Sequence, residues 1–211
     1  MRIFTCQNCG QILHFENSVC VRCGSLIGLV PASLELTALT KEDGAWRAMA
    51  DNALWRFCDN WSLGACNWLI PAGLTDVYCP ACRLNRMIPD ISDPERAGRW
   101  REIEVAKRRL IYALRRFDLP IPARADGLPD GLAFDFLADS DPSAPVMTGH
   151  DQGLITLNIA EADPAEREKR RVELGEPYRT LLGHMRHEVG HFYWDLLVRD
   201  GGKLDACRAV L

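Results

Sequence analysis

The chain has 211 residues, of which 47% are hydrophobic and 26% are charged, the balance of a globular protein with an apolar core. Its formal net charge of −4 creates no general attraction to nucleic acid or to an anionic membrane, so we expect neither as a partner. No apolar run approaches the roughly 18 residues of a membrane span, and the polar, cysteine-containing N-terminus does not resemble a signal peptide, which favours a cytoplasmic protein.

The first 30 residues contain two Cys-x-x-Cys pairs, each followed by glycine. Two such pairs supply the four soft ligands of a tetrahedral zinc ion, the pattern of a zinc ribbon, although a single pair is also compatible with redox chemistry. A unit this small has too little core to fold alone, so metal binding would supply its folding energy. Residues 12–15 between the pairs suggest a short strand. The expected zinc ligands are Cys6, Cys9, Cys20 and Cys23.

A second set of four cysteines lies between positions 58 and 82 and contains one further Cys-x-x-Cys pair. Because the cytoplasm keeps thiols reduced, we expect a second structural zinc ion here rather than disulfides. The alternative is that Cys58 and Cys66 are buried small hydrophobes. The ninth cysteine, Cys207, is expected to be an ordinary thiol. The expected ligands of the second zinc are Cys58, Cys66, Cys79 and Cys82.

Turn and cap residues mark the elements that follow. Glu42-Asp43-Gly44 is typical of a hairpin turn between strands at 34–40 and 45–49. Asp93-Pro94 combines a capping Asp with a Pro at the first helical position, and it predicts a helix that ends near residue 117. The apolar face predicted for this helix consists of Trp100, Ile103, Ala106, Leu110, Leu114 and Phe117.

The remainder of the chain mixes strands with helices. Alternating patterns predict strands at 132–137 and 154–159, and we expect a substrate peptide to pair with the edge of the second strand. Proline starts and glycine ends then predict helices. These helices run over 163–175, from 176 to about 199, and over 204–211. The order of the elements predicts an α+β fold.

The last long helix carries the motif His187-Glu188-Val189-Gly190-His191. Histidines four residues apart project from nearly the same face of a helix, so both imidazoles can bind one zinc ion. Glu188, beside them, is a candidate general base that would take a proton from water activated by the metal. We expect the two rings to face a common cleft, with Glu188 at its rim. The alternative is a pair of hydrogen-bonded core histidines.

His184 precedes the motif on the same face, where it either supports the zinc ligands or belongs to a polar stripe lining a cleft. A catalytic zinc ion has three protein ligands as a rule, yet no Glu follows Glu188 and no His follows His191. The remaining candidates are Asp195, Asp200, Asp205 and Cys207. Asp195 is the best of them, although it lies on the same helix, so we expect weak zinc binding and little peptidase activity from a chain that resembles one cut short.

The chain resembles a bacterial family of zinc-ribbon proteins with a zinc-metallopeptidase domain of the zincin-like, HExxH type. The resemblance rests on the N-terminal ribbon and on segments 65–71, 79–84, 157–163 and 176–195, and it covers nearly the whole chain. It implies zinc ligands at His187 and His191 and a general base at Glu188. The expected domains are a zinc ribbon at 1–30, a second cysteine-rich zinc-binding unit at 31–90, and a zincin-like metallopeptidase domain at 91–211 that is incomplete at its C-terminus.

Two functions follow from these features. The first is a zinc-dependent peptidase that acts on a peptide or protein substrate and carries structural zinc ribbons. The second is a non-catalytic zinc-ribbon module that binds protein or nucleic acid, with an incomplete or vestigial HExxH helix. The sequence specifies neither a cleavage preference nor an oligomeric state.

Overall fold

The computed structural model describes residues 2–140, 143–173, 175 and 180–210. The chain divides into two compact units, Met1–Arg83 and Leu84–Leu211. Both helices and sheets are present, which confirms the α+β prediction. The expected boundaries at 30/31 and 90/91 stay a prediction. No helix in the described ranges is long and apolar enough to cross a bilayer.

The first unit begins with a small ribbon in which β1 (Phe4–Thr5) pairs antiparallel with β2 (Ile12–Leu13). The glycine after each Cys-x-x-Cys pair adopts a positive φ, 76° at Gly10 and 73° at Gly24, a conformation that favours glycine. Each of these glycines donates its N–H to the carbonyl oxygen of the first cysteine of its pair, at 2.8 Å. These hydrogen bonds close a tight turn at each pair, and in this turn both thiols of the pair face the same side.

A five-stranded antiparallel sheet follows, with the strands in chain order. Its strands are β3 (Leu26–Val30), β4 (Glu35–Glu42), β5 (Ala45–Ala48), β6 (Leu54–Phe57) and β7 (Leu69–Pro71). The predicted hairpin is confirmed as β4 and β5, with Asp43 and Gly44 at φ 41° and 82° in the turn. The sequence did not predict β3, β6 or β7.

The sheet is strongly curved, so that its first strand, β3, lies next to the segment that leads into its last strand, β7. Leu29 and Trp68 form a parallel bridge, and the Leu29 N–H donates to the Asn67 carbonyl at 2.8 Å. Gly28 permits this approach, because a Cβ there would lie 2.5 Å from the Leu69 side chain. The curled sheet has a buried apolar core. This core consists of Val30, Leu39, Ala48, Trp55 and Leu69.

The second unit contains a four-stranded mixed sheet. Its strands, in order across the sheet, are β10 (Gly149–Asp151), β11 (Leu154–Asn158), β9 (Ala133–Leu137) and β8 (Asn85–Met87). The pairs β11–β9 and β9–β8 are parallel, whereas β10 and β11 form an antiparallel hairpin. The predicted strands at 132–137 and 154–159 are therefore confirmed to within one residue, and β8 and β10 are additions.

The long helix α1 (Pro94–Arg116) starts as predicted, because the Asp93 side chain accepts hydrogen bonds from the Glu95 and Arg96 N–H groups. Five of the six residues of the predicted apolar face are buried. Phe117 is the exception: it lies beyond the last helical residue and is 75% exposed, so its assignment to the apolar face was wrong.

A buried polar cluster joins α1 to β8. Lys107 and Glu104 are fully buried, and their side chains pair at 2.9 Å. Asn85 bonds both partners, and the Lys107 ammonium also lies 5.4 Å from the centre of the Phe136 ring. The charges are thus balanced inside the core, which is the condition under which buried ions are tolerated.

Three shorter α-helices lie in the described part of the second unit: α2 (Pro164–Glu173), α3 (Leu181–Trp194) and α4 (Leu204–Arg208). The predicted helix start at Glu176-Pro177 lies outside the described residues, and α3 begins at Leu181, where the Thr180 side chain accepts the Gly183 N–H. It was also expected to continue to about Arg199, but the α-helix ends at Trp194 and one π-helical turn, Asp195–Arg199, follows it.

Candidate metal sites

The first cysteine set forms a compact tetrad. The Sγ atoms of Cys6 and Cys23 are 3.8 Å apart, those of Cys9 and Cys20 are 3.6 Å apart, and all four lie within 4.8 Å of one another. Zinc–sulfur bonds of about 2.3 Å in a tetrahedron place the sulfurs roughly 3.8 Å apart, whereas a disulfide needs about 2.05 Å. The spacing therefore fits a zinc ion and excludes a disulfide in this arrangement.

The second cysteine set converges in the same way although its ligands are irregularly spaced. Cys66 and Cys79 have their Sγ atoms 3.7 Å apart, and all four thiols of this set are buried. A short 3-10 turn at Asp59–Trp61, closed by the Ala65 N–H on the Asn60 carbonyl, brings Cys66 back toward Cys58. Both tetrads could therefore hold a structural zinc ion.

Backbone N–H groups surround the second tetrad. Trp68 donates its N–H to the Cys66 sulfur at 3.3 Å, and Cys79 and Cys82 donate theirs to the sulfurs of Cys58 and Cys79 at 3.4 Å. Burial raises the pKa of the Cys66 and Cys79 thiols. Zinc binding must therefore displace protons here, and the N–H donors would stabilise the resulting thiolates.

The motif histidines lie close together on α3. The Nε2 atoms of His187 and His191 are 3.1 Å apart, and their rings meet at 90°. Two zinc–nitrogen bonds of about 2.0–2.1 Å place the nitrogens roughly 3.3 Å apart, so the pair fits two positions of one ion. Both side chains are exposed rather than hydrogen-bonded within the core, which is against the core-histidine alternative.

A third protein ligand does not join this pair in the described parts of the chain. Within them, two groups of three or more metal-binding side chains have their ligand atoms within 4.8 Å, and both are the cysteine tetrads. Asp195, the best candidate from the sequence, pairs with Arg199 at 2.9 Å. The described residues therefore supply two ligands at the helix, compared with four at each tetrad.

His150 lies beside the pair and was missed by the sequence analysis. Its ring is nearly parallel to that of His191, with the centres 6.1 Å apart. The Gly153 N–H donates to its Nε2 at 2.9 Å, so the neutral ring carries its proton on Nδ1. Burial lowers the pKa of His150, which favours that neutral form. The strand that carries it has three residues, too few for an alternating pattern to be seen.

Glu188 lies next to the pair and is bonded to a neighbouring histidine. It is 7% exposed, and its Oε1 is 3.1 Å from His184 Nε2, so it is buried rather than at a rim as expected. The hydrogen bond from His184 lowers the pKa of Glu188 against the opposing effect of burial. The other ring nitrogen of His184, Nδ1, is 2.7 Å from the carboxylate of Glu161, a residue that the sequence analysis did not single out.

The strand of the second sheet that lies at the edge near α3 is β10, and not β11 as expected from the sequence. β11 pairs on both sides, with β10 and with β9, so it has no free edge. β10 is one of the two edge strands of this sheet and packs against α3. A nearby cleft of about 150 Å³ is lined in part by Gln152, Phe192 and Asp195. A peptide that adds to this sheet near α3 would therefore pair with β10.

Comparison with known proteins gives two family matches. Residues 96–211 match the family described as "Putative zinc-binding metallo-peptidase", and residues 3–93 match a zinc-ribbon domain family. Uncharacterized proteins of Mycobacterium bovis and of two Mycobacterium tuberculosis strains are 42% identical over 198 residues, which is 94% of this chain and 54% of each relative. The chain thus spans about half the length of the curated relatives it matches. No solved structure matches it.

Proposed function

The chain belongs to the "Putative zinc-binding metallo-peptidase" family, and from that premise we propose that it is a zinc-dependent peptidase, with two structural zinc ions in its ribbon part. The observation that carries the proposal is the 3.1 Å approach of the His187 and His191 Nε2 atoms. Glu188 follows His187 in the chain, and its carboxylate lies 3.1 Å from the His184 ring. A peptide or protein is the proposed substrate.

The structural ions are assigned to the two cysteine tetrads. In this assignment the first ion links the two glycine-closed turns of the ribbon, and the second links the turn after β6 to the segment before β8. Since thiols must lose their protons to bind zinc, binding would release protons and stabilise the fold of Met1–Arg83. A cytoplasmic location belongs to the same proposal, because a reducing compartment keeps cysteine thiols available to zinc.

At the helix, His187 and His191 would hold the catalytic ion. Zinc supplies Lewis acidity toward a peptide carbonyl and lowers the pKa of water. Glu188, as a carboxylate, would accept the proton of the attacking water and pass it to the departing amine. β10 would align the peptide backbone through strand pairing, and the Nδ1–H of neutral His150 offers a hydrogen-bond donor beside the histidine pair.

One observation favours the second candidate function, a non-catalytic zinc-ribbon module. A catalytic zinc site usually has three protein ligands, and the described residues bring two to the helix. In this case the cysteine tetrads would retain zinc, whereas the histidine pair would bind it weakly or not at all. The two functions therefore differ in how many zinc ions bind tightly.

The deciding experiment measures zinc per chain by mass spectrometry and cleavage of a mixed peptide library, for this chain and for a full-length mycobacterial relative. Glu188→Gln should keep the zinc content and lower the cleavage rate by about 10²–10⁴-fold, because it removes a base but no ligand. Arg186→Gln, an exposed neighbour on α3, is the matched control and should leave the rate unchanged. Absence of cleavage by both wild-type proteins at saturating zinc would favour the non-catalytic module.

A further inference from the structure

We propose that His184 is a positioning residue, which bridges the buried carboxylate of Glu161 to the carboxylate of Glu188 and so fixes the direction of the general base. The inference rests on the proposed function, because it takes Glu188 as the base. His184 itself would touch neither the substrate nor the metal.

The bridge uses both nitrogens of one ring. His184 Nδ1 lies 2.7 Å from Glu161 Oε2, and His184 Nε2 lies 3.1 Å from Glu188 Oε1. In the proposed bridge both carboxylates are ionised, so each accepts a hydrogen bond and each ring nitrogen of His184 carries an N–H. Among side chains, protonated imidazole provides two such donors on opposite sides of a rigid ring.

Glu161 is a rigid anchor for the bridge. Its side chain is 1% exposed, and the Thr148 hydroxyl donates to its other carboxylate oxygen at 2.7 Å. The 3-10 turn that carries it, Ile159–Ala162, begins at Asn158, whose side chain accepts the Ala160 N–H. Arg167 donates to the Glu161 backbone carbonyl at 2.5 Å. The side chain and the backbone of Glu161 are therefore both fixed by contacts that do not involve His184.

Glu188 lies on α3 together with both proposed zinc ligands, so the helix fixes the position of its backbone. The direction of its carboxylate depends on the hydrogen bond to His184. A glutamate side chain has three rotatable bonds, and a displacement of about 1 Å at a reacting group can cost roughly 10²-fold in rate. Since His184 is one turn earlier on α3, its ring contacts Glu188 from the side and restricts those rotations. The bridge would hold the carboxylate ready before substrate binds.

The kinetic test uses His184→Gln and Glu161→Gln in the full chain, with Arg186→Gln as the control. We expect His184→Gln to lower kcat about 10- to 100-fold, with KM within about twofold and zinc content unchanged, because the base remains but is no longer fixed. Glu161→Gln should lower kcat in the same direction, and the double variant should be no slower than His184→Gln, since both changes break one bridge. A His184→Gln kcat within twofold of wild type would overturn the proposal.

A second measurement needs no activity and no folded variant of His184. Nitrogen-15 NMR of the wild-type imidazole rings should show one histidine with two exchange-protected N–H groups, and Glu161→Gln and Glu188→Gln should each perturb a different one. A His184 ring with a single N–H, or with both unprotected, would overturn the bridge. Absence of peptide cleavage would contradict the proposed function, and the NMR result would still decide whether the bridge exists.

Discussion

The cysteine tetrads and the histidine pair are two ways of arranging metal-binding side chains in one molecule. Each tetrad draws its thiols from separate turns that surround a point, and the second tetrad is fully buried. The histidines lie on one face of one helix and are exposed. Ligands from several segments complete the coordination of zinc and hold those segments together, whereas ligands from one helix leave positions open for water and substrate.

This difference predicts where metal and stability are coupled. Loss of a ligand at a tetrad should release chain segments, because the four thiols of each tetrad come from separate stretches of the chain that the proposed ion would join. Loss of a ligand on α3 should leave the fold intact, because the helix is capped by Thr180 and packed on α1 without any ion.

Cys79→Ser should abolish the second tetrad and unfold much of Met1–Arg83, because structural zinc in small domains contributes about 10–16 kcal/mol of binding free energy. We expect tightly bound zinc to fall by one ion per chain and the amide NMR signals of this unit to collapse. Cys207→Ser, outside both tetrads, is the control and should change neither. A folded Cys79→Ser unit with two tight zinc ions would break the comparison.

Lys107→Met should destabilise the second unit by about 3–5 kcal/mol, because it removes one member of the buried ion pair that the Lys107 ammonium forms with the Glu104 carboxylate at 2.9 Å. Urea unfolding followed by tryptophan fluorescence measures the change. Arg101→Met, on the exposed side of the same helix, should have an effect within about 0.5 kcal/mol. Equal stabilities for the two variants would show that the buried pair does not hold this unit together.

Gly28→Ala should destabilise the first unit by about 1–3 kcal/mol, because the added Cβ would meet the fully buried Leu69 side chain at 2.5 Å. The measurement is chemical unfolding with zinc held in excess, so that both tetrads stay occupied. Gly73→Ala is the matched control in the same unit, where an added Cβ meets nothing within 4 Å. A neutral Gly28→Ala would mean that the curled sheet tolerates a wider separation of β3 and β7.

His187→Gln should change the unfolding free energy by less than about 0.5 kcal/mol, because its side chain is exposed and holds no segment in place. The two tight zinc ions should remain, and zinc that binds in addition should be lost from titrations. Calorimetric zinc titration and thermal unfolding of the same samples check both points. A large drop in stability would show that α3, like the tetrads, depends on metal.

The features that could be predicted from the sequence are those determined by residues close to one another along the chain. The Cys-x-x-Cys-Gly turns, the Asp93-Pro94 helix start and the four-residue histidine spacing are all local patterns, and the structure agrees with them. The Phe117 error has a related origin, because periodicity continues past the residue at which a helix ends.

Long-range features could not be predicted in the same way. The curled sheet depends on the meeting of β3 and β7, and β10 is a three-residue strand defined by its pairing with β11. His150 and Glu161 come close to residues of α3 only in the folded chain, and 23 positions separate Glu161 from His184. A single sequence carries no periodic signal for such pairs.

The unequal burial of the two tetrads has a consequence for chemical damage. Cys23 in the first tetrad is exposed, whereas all four thiols of the second tetrad are buried. Reactive thiolates are those that are accessible and deprotonated, whereas the thiols of the second tetrad are covered and bonded by backbone N–H groups. Peroxide or an alkylating agent should therefore attack the ribbon first, so that the N-terminal zinc is released by oxidation while the second ion is still retained.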